Sequence, residues 1–258
     1  CALPIWQVRT RSELKPFGVR PRLPDDPTRQ LQWNSLTLTR NPLHPSLPTD
    51  VDWVQKARAL KETLWVNGAS ESERFVFFEA KTRERVALKL ARGDRYTSTF
   101  RHYILSNTGA FPVHDVFVLH REGSTLFVFA APSIPAGASA GFALEEHRVA
   151  DQNASTRVAL RNRLVAAGSS ADATCVMGRD PAKPVETASS HTLFADEAEA
   201  LLRVWGAALF DQPGTTIVYR EDRAYLDQAM PLSLFTDMFH WVELHRAGLA
   251  LWQGVVLP

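Results

Sequence analysis

Trp53, Ala57, Leu60 and Leu64 fall at i, i+4, i+7 and i+11, a spacing that places all four on one face of a helix. Just upstream, Thr49-Asp50-Val51-Asp52 sets a hydroxyl three residues before an acid, the capping-box pattern. A helix is therefore expected over roughly 51–63, running into a strand near Leu64–Val66. From there to about 149 the pattern shortens. Phe75–Phe78, Val86–Leu90, Phe100–Leu105, Val113–Leu119 and Leu126–Ala130 are short β-rich runs separated by turn residues. Their spacing predicts an antiparallel sandwich. Arg121-Glu122-Gly123-Ser124 reads as a hairpin turn between the last two runs.

After Val149 the period becomes helical again. Ser155 is placed to cap a helix carrying Val158, Leu160 and Leu164 and ending at Gly168. Ser169–Ser190 is a long polar stretch, read as an inserted surface loop that holds Cys175. A second helix is expected from Asp196 to Phe210, with Ala198, Leu201, Leu202 and Trp205 inward, broken by Pro213-Gly214. Thr215–Tyr219 follows as a buried strand, and Thr236 begins a last helix that Gly248 stops.

Proline changes the picture at the other end. Eight of the 16 prolines lie in the first 48 residues, and each removes a backbone donor and restricts its predecessor. That segment is expected to be an extended arm. Trp6, Phe17 and Trp33 punctuate it, and apolar groups on an extended arm need a surface: either the chain's own body or a partner. The expected organisation is an arm over 1–50, a β-sandwich over 51–150 and an α+β portion over 151–258, with the loop at 169–190. The fold class is mixed but mainly β. Because an arm of this kind supplies few backbone pairs, the β region is expected to fold without residues 1–48.

Charge and composition narrow the function classes. A net charge of +1 on 258 residues argues against a nucleic-acid binder, which would carry a basic excess or stripe. Gly123–Leu144 is the longest uncharged stretch, but its prolines and glycines break it into strand, turn and strand rather than a membrane-spanning helix. Two cysteines, Cys1 and Cys175, are too few for a disulfide scaffold.

Leu105-Ser106-Asn107-Thr108-Gly109, then Pro112-Val113-His114-Asp115-Val116, then Ile134-Pro135-Ala136-Gly137 form a spaced set of motifs. The set resembles immunoglobulin-like sandwich modules of bacterial surface proteins, in which an N-T-G turn leads into a P-x-x-D-V strand and a P-A-G turn follows. The resemblance covers about 60 residues and implies a structural or binding module without catalytic residues. It further implies that Gly109 takes a backbone conformation closed to other residues and that Asn107 bonds its own turn. Cys1 followed by the small Ala2 resembles the start of a mature bacterial lipoprotein, whose first cysteine carries the lipid. Two or three acyl chains anchor stably where one binds marginally.

Few constellations suggest chemistry. A first-residue cysteine also serves N-terminal-nucleophile hydrolases, where its amine is the base, but the prolines that follow disfavour the required central strand. His240, Glu243 and His245 miss the zinc-helix motifs, because a spacing of five rotates the second histidine about 140° away. No metal ligand set is assigned. His114 and His120 share a face if their strand is regular, yet lie roughly 20 Å apart, too far for one metal. Glu221, Asp222 and Asp227 sit among Arg220 and Arg223 and read as a loop tied by ion pairs.

The sequence thus reads as a non-catalytic, lipid-anchored protein of the cell envelope, expected at the outer membrane facing the periplasm or the surface. It would act as a structural or docking subunit of a membrane-associated assembly. Its expected partners are the membrane, through lipid on Cys1, and other envelope proteins, through Trp6, Phe17 and Trp33. No cofactor, small-molecule substrate or nucleic acid is expected. The alternatives are an N-terminal hydrolase using Cys1 and a surface carbohydrate or adhesion module.

Overall fold

A computed structural model describes residues 17–18, 33, 36–46, 48–59, 64–77, 86–149, 154–165, 195–229 and 247–258. The expectations for Cys1, Trp6, Cys175, the 169–190 loop, the helix from Thr236, and His240, Glu243 and His245 lie outside the described residues. The protein is mainly β, as expected. It divides into two compact bodies. The first comprises Cys1–Glu84, Glu199–Val204 and Leu232–Leu244; the second comprises Arg85–Ala198, Trp205–Pro231 and His245–Pro258.

In the first body β1 (Phe17–Gly18), β2 (Thr37–Thr39), α1 (Asp52–Arg58), β3 (Trp65–Asn67), β4 (Ser72–Glu73) and β5 (Val76–Phe77) occur in chain order. β2, β3 and β4 form one antiparallel sheet, and β1 pairs with β5. The arm is therefore woven into this body. Thr37, Leu38 and Thr39 pair with Asn67, Val66 and Trp65. The amides of Leu43 and His44 donate to the buried Ser72 hydroxyl at 3.1 and 2.9 Å, and Ser72 itself bonds Asn67 Oδ1. This corrects the expectation that the arm contributes few pairs. α1 buries Val54 and Ala57 against Phe75. Its expected capping box does not form. Val51 occupies the N-cap without a side-chain bond, because the Thr49 hydroxyl accepts the Val51 amide only two residues ahead, a turn that competes with capping.

The second body begins with β6 (Leu88–Arg92), β7 (His102–Asn107), β8 (Val113–Glu122), β9 (Thr125–Ile134) and β10 (Ser139–Ala143). After a 3-10 turn at Glu145–His147 come β11 (Arg148–Val149), α2 (Ala154–Leu164), α3 (Ala195–Phe210, whose Glu199–Val204 stretch is assigned to the first body), β12 (Gly214–Glu221), α4 (Arg223–Ala229) and β13 (Leu249–Val255). One antiparallel sheet has the order β10-β7-β6 and the other β11-β9-β8-β12-β13. The two share a core that includes Leu88, Tyr103 and Leu105 from the first and Val116, Val118, Phe129 and Ile217 from the second. Phe129 stacks on Phe142 at 4.5 Å between centroids. Gly123 takes φ 57° in the two-residue loop joining β8 to β9, the left-handed position such hairpins reserve for glycine.

Alternation fails along β8, where six consecutive residues from Asp115 to His120 are buried. A strand buried on both faces loses its period of two. Val116 and Val118 face the sandwich core, while Phe117 lies under Arg163 of α2, whose guanidinium carbon is 5.6 Å from the ring centroid. Arg157 of α2 similarly covers Phe210 at 5.0 Å, and Arg121 of β8 donates to the Phe210 carbonyl at 2.8 Å. Leu160 and Leu164 of α2 are buried, but Val158, expected with them, is exposed. Among the described residues, no helix is long and apolar enough to cross a membrane.

Candidate functional site

Two polar groupings mark opposite ends of the sandwich, both built on the β8–β12 ladder. The first is made by register. His120 pairs across the ladder with Thr215, and Glu122 follows two residues on, so all three side chains share one face. Thr215 Oγ1 lies 2.7 Å from His120 Nδ1, and His120 Nε2 lies 3.0 Å from Glu122 Oε1. Glu122 also pairs with Arg101, which bonds Glu145 through both its side chain and its amide. The bond from Arg101, helped by His120, holds the Glu122 carboxyl below its ordinary value. Hydroxyl, imidazole and carboxylate in series is the arrangement of a nucleophilic relay. Here, however, Thr215 is only 1% exposed, so its hydroxyl is walled off from an incoming carbonyl. The chain of bonds links β12, β8, the start of β7 and the 3-10 turn, and acts as a clamp.

The opposite end carries the N-T-G turn. Asn107 is buried and donates from Nδ2 to the carbonyls of Phe111 and Ile134, each at 2.9 Å, while its Oδ1 accepts the Gly109 amide at 2.9 Å. Asn107 thus bonds its own turn, as the resemblance implies. Gly109 differs from that expectation: it is not among the positive-φ residues. A Cβ there would sit 3.0 Å from the Ala87 Cβ and 3.2 Å from Asn107 Oδ1, so close approach of β6 is what requires glycine.

The same end holds a β-bulge. Between Val218 paired with Phe117 and Arg220 paired with His114, β8 carries one residue more than β12. Asp115 sits in this bulge at φ 47°, a left-handed conformation that aspartate tolerates better than most residues. The extra residue reverses the parity of the strand. His114 shares its face with Arg220, whereas His120 shares the core face with Thr215. The two histidines therefore lie on opposite faces, unlike the expectation for a regular strand. The bulge also aims Asp115 at Arg220, whose Nε donates to Asp115 Oδ2 at 2.7 Å. Arg220 is 1% exposed, the largest fully buried side chain among the described residues.

The acidic cluster after β12 resolves into separate partners. Asp222 Oδ2 lies 3.0 Å from His114 Nε2, and its Oδ1 accepts the Ala224 amide at 2.8 Å, capping α4. Asp227 faces Arg223 at 3.7 Å on an exposed helix surface. Glu221 is different. It is half-buried on the core side, opposite Val113, and bonds the Tyr219 hydroxyl, which in turn accepts the Ala87 amide. Burial pushes its carboxyl up to about 7, Tyr219 opposes this, and the neighbouring Asp222 charge adds to it. Burial likewise raises the Tyr219 hydroxyl, with Glu221 reinforcing the rise.

Of the sequence-expected partner residues, Trp33 packs with Leu36 against Val66 and Val76 of its own chain. The backbone of Phe17 pairs with Phe77, and Trp6 lies outside the described residues, as does Cys1. Sequence reasoning missed Thr215–His120–Glu122 and Asp115–Arg220, both of which depend on pairing strands about 100 residues apart. Among the described residues, no group of three or more metal-ligating side chains converges. Comparison of the chain with protein-family models, curated proteins and solved structures finds no match.

Proposed function

We propose that this protein is a non-catalytic structural or docking subunit of a membrane-associated assembly at the cell envelope, with its sandwich as the rigid part. The observation that carries the reading is the use made of polar side chains in the sandwich. The groups best arranged for chemistry hold strands and sheets together: Thr215–His120–Glu122–Arg101–Glu145 at one end, Asp115–Arg220 and the Asn107 turn at the other. Such networks fix one arrangement of the strands, which suits a module that presents a surface. The bond of Asn107 within its own turn, and Gly137 at φ 73° in the P-A-G turn, support the immunoglobulin-like reading, although Gly109 lacks the backbone conformation that reading implies. Attachment through lipid on Cys1 belongs to the same proposal and is tested separately, by the mass of the N-terminal peptide from native material.

The docking role is tested by placing a photo-crosslinking residue at Trp6, Phe17 or Trp33 in turn, in cells expressing the protein at native level. Specific crosslinks to one envelope protein, absent when the residue is placed at exposed Asp227, support the role. Crosslinks only within the chain from all three positions contradict a partner-binding arm. A carbohydrate-binding module would instead retain a glycan on an array of envelope polysaccharides.

A further inference from the structure

An open sheet edge offers backbone donors and acceptors to any other chain, and folded proteins blunt such edges with charge, proline, bulges or shortness. The edges of the second body are treated in this way, with one exception. β6 carries exposed Lys89 and Arg92, and β11 is two residues long. β9, where it runs on past β11, carries Pro132, and β13 breaks register opposite Thr215–Ile217. β10 has none of these devices. Ser139-Ala140-Gly141-Phe142-Ala143 pairs with β7 in unbroken register and lies within the uncharged run from Gly123 to Leu144. The Asn107 amide donates to the Ala138 carbonyl at 2.9 Å and the Leu144 amide to the Arg101 carbonyl at 3.0 Å. By the alternation of an antiparallel ladder, Ala140 and Phe142 also bond inward to β7, and Ser139, Gly141 and Ala143 turn their N–H and C=O outward. Ala143 is buried, and its carbonyl accepts from His147 Nδ1 at 2.6 Å, which closes that end. Ser139 and Gly141 are exposed, and no hydrogen bond meets their outward groups among the described residues. The sheet surface beside them is low: the Ser139 hydroxyl lies 2.7 Å from that of Ser106, and a Cβ at Gly141 would meet His102 Nε2 at 3.0 Å.

We propose that β10 is a self-association edge: two copies of this chain pair antiparallel through it, about a two-fold axis at Ala140, and join their three-stranded sheets into one. The strand is complementary to itself in this register. Ser139 of each copy meets Gly141 of the other as a hydrogen-bonded pair, which satisfies the open groups of both residues. Ala140 meets its own counterpart, and the large Phe142 meets the small Ala138. A two-fold axis sets each residue near it against the same surface of the other copy, so any charge on the strand would face a like charge; β10 carries none. Moving the axis to Gly141 would pair Ser139 with Ala143, whose carbonyl His147 already holds, so Ala140 is the axis the open groups select. A ladder this short stands at the small end of specific interfaces, so the dimer is reversible and forms where the chains are concentrated. The inference goes beyond the docking role and uses neither the arm nor Cys1.

The test is disulfide trapping in the full chain. Ala140 and its counterpart form a non-hydrogen-bonded pair, whose Cα separation of about 4.5 Å suits a disulfide. Mild oxidation of Ala140→Cys is expected to join two copies at position 140, with a yield that rises with protein concentration and stands well above that of the exposed control Asp227→Cys. Peptide mapping separates this bond from any made through Cys1 or Cys175. Ser139→Pro removes an N–H that points away from β7, so it is expected to keep the thermal transition while weakening association in sedimentation velocity by about tenfold or more. An Ala140→Cys yield no higher than the control, or association unchanged in Ser139→Pro, overturns the proposal. So does a photo-crosslinker at position 140 that captures a different protein in cells and never a second copy. Should Ser139→Pro unfold, the Ala140→Cys yield against its control decides alone.

Discussion

Replacing Asp115 by alanine perturbs the two features that shape the bulge end of the sandwich, a buried ion pair and a left-handed backbone. Arg220 donates to Asp115 at 2.7 Å, and the two residues are 1% and 6% exposed. Removing one partner of a buried pair costs about 3–5 kcal/mol, because the remaining charge is left in a poorly solvating site. Both side chains have other interactions as well, which places the loss at the lower end, about 3 kcal/mol. Alanine at φ 47° adds roughly 1 kcal/mol of backbone strain. Glycine at the same position loses the pair but relieves the strain, so Asp115→Gly is expected to be about 1 kcal/mol more stable than Asp115→Ala. Scanning calorimetry reads these as shifts of the sandwich transition, about 2–4 °C per kcal/mol for a domain of this size. Asp115→Ala is then expected to lower that transition by roughly 8–16 °C. A fall of less than about 2 °C would mean that the pair and the bulge carry no stability, and would refute the reasoning.

Three further outcomes follow from the same geometry. Glu221 keeps its proton in the folded state up to about pH 7 but loses it near 4.5 when unfolded, so the native state binds more protons between those values. Its contribution to stability is therefore full below about pH 4.5 and falls through pH 7, by up to about 3 kcal/mol. In Glu221→Gln, urea titrations across this window should lack that decline, and curves parallel to wild type would count against it. Thr215→Val leaves the buried His120 Nδ1 without its hydroxyl partner and should cost about 1–3 kcal/mol, read as a lowered calorimetric transition. Deleting residues 1–48 removes β2 and the Leu43 and His44 bonds to Ser72. Proteolysis should then cut within 49–77 rapidly while the sandwich fragment persists, and equal resistance in both forms would show that the arm adds nothing to the first body.

Much of the sandwich was legible because its strands are short, β-rich and punctuated by turn residues. The β8–β9 hairpin falls where Gly123 predicted it, and the uncharged stretch from Gly123 to Leu144 resolves into β9, a turn and β10. β13 was not anticipated, since Leu249–Val255 carries little alternation and follows a glycine read only as a helix stop. The bulge leaves a trace in the sequence. Val113, Val116 and Val118 all face the core, and an odd-to-even change of parity within one strand requires an extra residue between them. The polar sites were harder to read, because side chains as far apart as Asp115 and Arg220 meet only through strand pairing. Reading the charged run after Thr215–Tyr219 as mutual ion pairs held for Asp227 with Arg223. It missed Glu221, because alternation along β12 turns Arg220 to the opposite face.

The central claim, that the chain works as a subunit of a larger assembly, is tested most directly by its mass in the native state. The protein would be extracted from native membranes in a mild non-ionic detergent and sized by light scattering on a column, with the detergent contribution subtracted. The account predicts extraction only with detergent and a protein mass well above that of one native chain, in fixed proportion to a second envelope protein. A mass equal to that of a single native chain, released without detergent and accompanied by no second protein, would contradict it.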